Sequence, residues 1–534
     1  MVNRPSIISA KLLLHAVALS YSIVLISFSF YVPLWDSWSY LADWLSSAIT
    51  QPFNVFSFDA GGHPTFLYHF LLAIPQYLDP ENSFLFFVTI AFLTVLSIYA
   101  FYAIAKRMFP HKSLEIELVG LTYMYAFMPV IFANALNHSP DYGKMVFFIF
   151  FIWSFLEKRK ILSFISALVL VFCKEQGVAL LIGTVAVDVF INIKGVRTSI
   201  RQHLKTLISA RLVYILPVII WLGYMSVKLW DSKFSNIWVG SSDFLKPYFY
   251  LSLPRTLSYL SGIFVINYHW VLTLFASVGV IYLRQIKTNR NAYSVFFVPK
   301  VVRFISGVFM TALVILIAVR HITRLRYFLP LYPMLLLLFY MGLLIIFPKT
   351  TLRRIVLIIV VLLFFTSLYV TTDPISRLVY GTFRFGRHDI LKAASISGDC
   401  CGFGVDHIVY NLEHVNIIIL LNAFFESIKA SHNTVFSYSP SFGDHALGRI
   451  DQHTKHLTWR SADAFYPNTL DGRTLASNKR PQEIYFISFP TTGDNEFYLS
   501  ELLNFYDLRS KSTYDHLGYT LDVYRMQRRK EALL

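Results

Sequence analysis

Charge is scarce in this chain, and cysteine is nearly absent. Only 15% of its 534 residues are charged, where soluble proteins carry about a quarter. That scarcity excludes an ordinary soluble domain, and a 55% hydrophobic content leaves a polytopic membrane protein as the fitting class. The three cysteines, Cys173, Cys400 and Cys401, give neither a disulfide framework nor a metal-ligand spacing. No P-loop, nucleophile elbow or dinucleotide fingerprint occurs. Internal repeats and low-complexity tracts are lacking too.

What is present is a series of long apolar runs. A helix needs about 20 apolar residues to cross the hydrocarbon core, and the runs predict about eleven spans. They lie near 9–32, 83–105, 116–136, 143–157, 160–174, 176–193, 208–229, 258–283, 304–320, 327–347 and 353–371. The first is too long for a signal-peptide core and has no small-residue cleavage site, so it reads as a retained helix.

The net charge of +16 is placed by these spans. Basic residues follow alternate spans: Lys106, Arg107 and Lys112, then "EKRK" (157–160), "NIKGVRTSIRQHLK" (192–205), "RQIKTNR" (284–290) and "PKTTLRR" (348–354). All fall on one side, which the positive-inside rule makes cytoplasmic. This assigns the surplus to membrane topology and not to nucleic acid. The N-terminus is then cytoplasmic and the C-terminus extracytoplasmic. The 33–82 loop lies outside, with interfacial helices expected over 37–48 and 64–78. Residues 1–371 form the membrane domain. From 372 to 534 the composition turns polar, and a helix over 416–429 with strands at 434–439, 483–489 and 519–526 predicts an extracytoplasmic α/β domain.

This topology sends Asp36, Asp59, His63, Asp141, Lys144, Lys174 and Glu175 to the outer face. "RHITRLRY" (320–327) joins them, and its arginines run against the positive-inside pattern. Asp36 in "YVPLWDSWSYLADW" (31–44) suits a helix cap as well as chemistry. Asp141, after Pro140, also suits a helix start. Lys174 and Glu175 interrupt an apolar run, where a charged pair is costly unless satisfied or used. An arginine cluster with carboxylates on one face fits an anionic, lipid-linked substrate.

Five stretches in order carry a resemblance: "PLWDSWSYL", "GGHPTFLYHFLLA", "SPDYGKMVFFIFF", "LVLVFCKEQGVALLI" and "RLRYFLPLYPMLLLL". Together they resemble the GT-C membrane glycosyltransferases, in the branch of the protein O-mannosyltransferases and aminoarabinose transferases. Ser37 stands where family members often carry a second acid, and Thr65 where they carry a second proline. The resemblance implies transfer of a sugar, with inversion, from a polyprenyl-phosphate donor to a hydroxyl of a lipid, glycan or protein acceptor. It implies Asp36 as general base and Asp141 as a ligand for a divalent metal, Mg or Mn, or a donor-orienting group. It implies His63, Lys174, Glu175, Arg324, Arg326 and Tyr327 as the residues holding donor phosphate or sugar. A bacterial inner membrane is the expected location. Two other readings share the features: a lipid-linked glycan polymerase or ligase, and a non-catalytic membrane transporter or binding protein.

Overall fold

The computed structural model describes residues 9–30, 66–78, 84–136, 140–193, 200–230, 253–285, 296–318, 325–369, 373–385 and 388–391. Of the C-terminal part it describes chiefly 436–438, 482–488 and most of 499–529. The 37–48 helix, Asp36, Asp59, His63, Arg324, Cys400 and Cys401 lie outside the described residues.

The membrane part is a bundle of helices. In chain order these are α1 (Ala10–Ser27), α2 (Phe66–Leu78), α3 (Phe84–Met108), α4 (Glu115–Phe127), α5 (Pro129–Leu136), α6 (Pro140–Leu156), α7 (Lys160–Val171) and α8 (Gln176–Ile193). They continue with α9 (Ile200–Trp230), α10 (Leu253–Phe264), α11 (His269–Gln285), α12 (Pro299–Ala318), α13 (Leu331–Ile346), α14 (Thr350–Tyr369) and α15 (Pro374–Tyr380). By length and composition α1, α3 and α12 can each cross a membrane, and the bent pair 112–127 and 129–136 forms a fourth candidate among the described residues. Five further apolar stretches are shorter. The outer faces of the bundle expose large apolar side chains such as Leu12, Ile23, Phe92, Val314 and Ile358. In water such a surface would drive association; against lipid it is solvated. The chain is a polytopic helical membrane protein with a small C-terminal sheet.

Two expected spans are broken. The run 116–136 bends by 47° between α4 and α5. Pro129 has no amide to donate and pushes Met128 to extended geometry, ψ 125°. The run 258–283 breaks between α10 and α11, where Asn267 and Tyr268 adopt left-handed φ of 55° and 65°. Their amides find remote partners: Asn267 N donates to Ser376 Oγ at 3.2 Å and Tyr268 N to Asp373 Oδ2 at 3.1 Å. Asp373 also caps α15 through the amides of Ile375 and Ser376.

At one end of the bundle, buried Glu117 (α4) ties α13 to α14. It accepts from Tyr340 Oη at 2.8 Å and from Arg353 Nη2 at 3.0 Å. Arg353 spends another donor on the Phe347 carbonyl at 3.1 Å, so its burial is satisfied.

The C-terminal part opens with a hairpin, β1 (Thr382–Phe385) and β2 (His388–Leu391). A four-stranded sheet follows from β3 (Phe436–Tyr438), β4 (Glu483–Ser488), β5 (Tyr506–His516) and β6 (Tyr519–Arg528), in the order β3-β4-β6-β5. The β3–β4 pair is parallel and the rest antiparallel. Ile484, Phe486, Leu502, Tyr506 and Met526 pack its small core. The three expected strands are present, and β5 is an addition. Its sequence, YDLRSKSTYDH, is exposed over most of its length and lacks apolar alternation. Charged side chains along such an edge discourage further pairing.

Candidate active site

Asp141 enters the first turn of α6 directly after Pro140, which occupies the helix start. A carboxylate there faces the free amides of the helix N-terminus. Lys144 follows one turn later on the same face. Both are buried, with 2% and 0% of their side-chain surface exposed. Lys144 Nζ donates to Asp141 Oδ1 at 2.8 Å and to the Tyr327 carbonyl at 3.3 Å, and it also reaches Gln176 Oε1.

Lys174 comes from the turn between α7 and α8 and donates to Asp141 Oδ2 at 2.9 Å. That turn is tight because of Gly177, whose amide donates to the Lys174 carbonyl at 2.8 Å. A Cβ on Gly177 would sit 2.2 Å from the Leu170 carbonyl oxygen, so only glycine lets α8 begin this close to the end of α7.

The third wall is the 3₁₀ turn Leu325–Phe328 leading to α13. Arg326 Nε lies 3.9 Å from Asp141 Oδ2. The Tyr327 ring has Lys174 Nζ 4.0 Å and Arg326 Cζ 5.7 Å from its centre, both within cation–π range. Beside the cluster, Tyr142 bonds Thr94 of α3 and lies 3.4 Å from Tyr21 Oη of α1. These contacts lock the start of α6 to the first helices.

The structure therefore gathers Asp141, Lys174, Arg326 and Tyr327, with Glu175 next along the same turn and partly exposed. Asp36, His63 and Arg324 are outside the described residues. Sequence reasoning placed Lys144 on this face but gave it no role, and it missed Gln176. The available signal was the spacing of Lys144 three residues after Asp141.

Among the described residues three cations (Lys144, Lys174, Arg326) face two carboxylates (Asp141, Glu175), a balance of one positive charge. In a low-dielectric setting an uncompensated charge is costly, and an anion relieves it. Both Asp141 oxygens already accept from lysines. A divalent ion takes several oxygen ligands and is repelled by ammonium groups; the described residues around Asp141 do not fit one. Among the described residues no cluster of three or more His, Cys, Asp and Glu side chains is present.

The array of membrane helices that ends in a small sheet carries this cationic cluster where α6, α8 and α13 begin. The chain is similar over 96% of its length to the solved structure of ArnT from Cupriavidus metallidurans bound to undecaprenyl phosphate, covering 97% of that chain, with TM-score 0.54 and 13% identity. The apo state of that protein gives TM-score 0.53 at the same identity and coverage. At 11% identity it is also similar to the archaeal oligosaccharyltransferase AglB from Archaeoglobus fulgidus, in complex with an inhibitory peptide and a dolichol-phosphate, with TM-score 0.46 over 98% of this chain and 75% of that one. No family model matches the chain, and no curated protein does. The resemblance read from five short stretches is thus met by a shared fold over nearly the whole chain.

Proposed function

We propose that this chain is an integral-membrane glycosyltransferase that takes a sugar from a polyprenyl-phosphate carrier. One observation supports this most: a buried cluster whose described residues carry more positive than negative charge, in a chain with the fold of a protein solved with undecaprenyl phosphate. The lipid phosphate brings the missing negative charge, and apolar helix faces suit its chain.

In the reaction, an acceptor hydroxyl attacks the anomeric carbon from the side opposite the phosphate. The new carbon–oxygen bond forms as the carbon–phosphate oxygen bond breaks, and the centre inverts. Asp36 takes the hydroxyl proton as general base. The leaving polyprenyl phosphate gains negative charge as it departs. Lys174 and Arg326 stabilise it, with His63 and Arg324 joining them and Tyr327 and Glu175 positioned toward the sugar. Asp141 holds the two lysines in place and orients the donor through them; no metal is assigned to it. The active face is extracytoplasmic, and the acceptor is a lipid, glycan or protein hydroxyl. A bacterial inner membrane is the assigned location.

The test is binding of polyprenyl monophosphate to the purified full-length protein. Thermal stabilisation of wild type that falls at least about tenfold in apparent affinity in Lys174→Gln supports the reading. Equal stabilisation of both proteins contradicts it.

A further inference from the structure

A second polar site lies at the opposite end of the bundle. Helix α6 runs from Asp141 to Leu156, about 23 Å away at 1.5 Å per residue. There a cavity of about 540 Å³ opens between α6, α7, α8, α9 and α12. Phe155 and Phe304 form its apolar floor, stacked with centroids 5.6 Å apart.

Its rim is basic. Arg107, Lys158, Lys160, Arg211 and Lys300 line it. Arg107 pairs with Glu157 at 2.7 Å, and Arg211 Nε donates to Asp188 Oδ2 at 2.8 Å. Lys300 donates to the Asn192 amide oxygen at 2.8 Å, a neutral partner. Among the described residues no carboxylate pairs with Lys158, Lys160 or Lys300. Among the described residues five cations stand against Glu157 and Asp188, a surplus of three.

An apolar groove of about 560 Å³ adjoins this cavity and shares Ile191 with it. It runs between α8 and α12, over Gly183, Ala186, Val187, Gly307 and Met310. The glycines bring the helices close: a Cβ on Gly307 would lie 2.7 Å from Val187 Cγ1. Phe190 and Met310 on its walls are more than half exposed, so the groove is open on the lipid side. From Gly183 to Ile191 it follows α8 for about 12 Å.

We propose that this end of the bundle holds one anionic phospholipid, with its phosphate among Lys158, Lys160 and Lys300 and an acyl chain in the groove between α8 and α12. Unpaired lysines bind phosphate oxygens as point charges, and basic pockets between membrane helices suit phosphorylated headgroups. A free phosphate satisfies the same cations but leaves the groove unused; the groove therefore selects a lipid. By the charge pattern this is the cytoplasmic end, away from the proposed transfer site, and the inference does not depend on that activity.

The experiment is native mass spectrometry of the full-length protein titrated with phosphatidylglycerol, with phosphatidylcholine of the same chains, or with inorganic phosphate. Wild type is expected to retain phosphatidylglycerol about tenfold better than phosphatidylcholine. The double variant Lys158→Asn/Lys300→Gln is expected to lose that preference; Asn tolerates the left-handed φ of 58° at position 158. Lys158→Arg/Lys300→Arg keeps the preference, which separates charge from folding. Ala186→Phe, which fills the groove, weakens phosphatidylglycerol retention and leaves inorganic phosphate unaffected. Equal retention of the two lipids by wild type, or an unchanged preference in the neutral double variant, overturns the proposal. So does inorganic phosphate displacing phosphatidylglycerol at equal concentration, which would assign the cavity to free phosphate.

Discussion

Lys174 Nζ donates to Asp141 Oδ2 at 2.9 Å across 33 residues of sequence. The bond joins the turn between α7 and α8 to the first turn of α6. With Lys144 on the other oxygen, Asp141 is the common anchor of two buried ammonium groups.

Asp141→Asn leaves those ammonium groups without their counter-charge. Breaking one partner of a buried pair costs about 3–5 kcal/mol. A lower unfolding midpoint than wild type is expected in detergent thermal denaturation. Adding Lys144→Met should recover part of the loss, because the second change removes one stranded charge. Strictly additive losses would show that the two residues are uncoupled.

Gly177→Ala tests the turn that carries Lys174. The added Cβ would lie 2.2 Å from a backbone oxygen, so the turn must open. Binding of polyprenyl phosphate should weaken in the folded fraction. Gly223→Ala is the control: nothing lies within 4 Å of that Cβ. As a mid-helix replacement it is expected to stabilise by about 0.5–1 kcal/mol and leave binding unchanged.

In the proposed reaction, Lys174→Gln removes a cation from beside the leaving phosphate. Loss of one such donor lowers kcat by about 10²–10³. The steady-state transfer rate checks this. A rise in KM with unchanged kcat would instead mark Lys174 as a ground-state contact only.

Glu117→Gln acts at the other end of the bundle. It leaves buried Arg353 without its carboxylate, at a cost of about 3–5 kcal/mol. A lower unfolding midpoint is expected, with the transfer rate per folded molecule unchanged. A selective loss of rate would give Glu117 a role beyond joining α4, α13 and α14.

Much of this was legible in the chain, because membrane spans announce themselves by apolar length and basic flanks. The run 176–193 coincides with α8. The spans and their basic flanks led the sequence reading to send Asp141, Lys174, Arg326 and Tyr327 to one face, and the structure brings these four side chains together. The break at Asn267 and Tyr268 could not be read locally, since its amides are satisfied by Asp373 and Ser376 more than 100 residues later. The Glu117–Arg353 pair spans 236 residues and leaves no local trace. Strand β5 was missed because an exposed edge strand needs no apolar alternation. Which ammonium reaches which oxygen of Asp141 depends on helix packing, and so Lys144 and Gln176 gained their roles only in three dimensions.

The most direct measurement is a transfer assay in membranes, using radiolabelled polyprenyl-phosphate sugars and native cell-envelope acceptors. Wild type is to be compared with Asp36→Asn at equal levels of folded protein. Label is expected to move from carrier to acceptor with wild type and not with Asp36→Asn. Transfer at the wild-type rate by Asp36→Asn would contradict the assigned base. Transfer by wild type from diphosphate carriers alone would contradict the monophosphate donor.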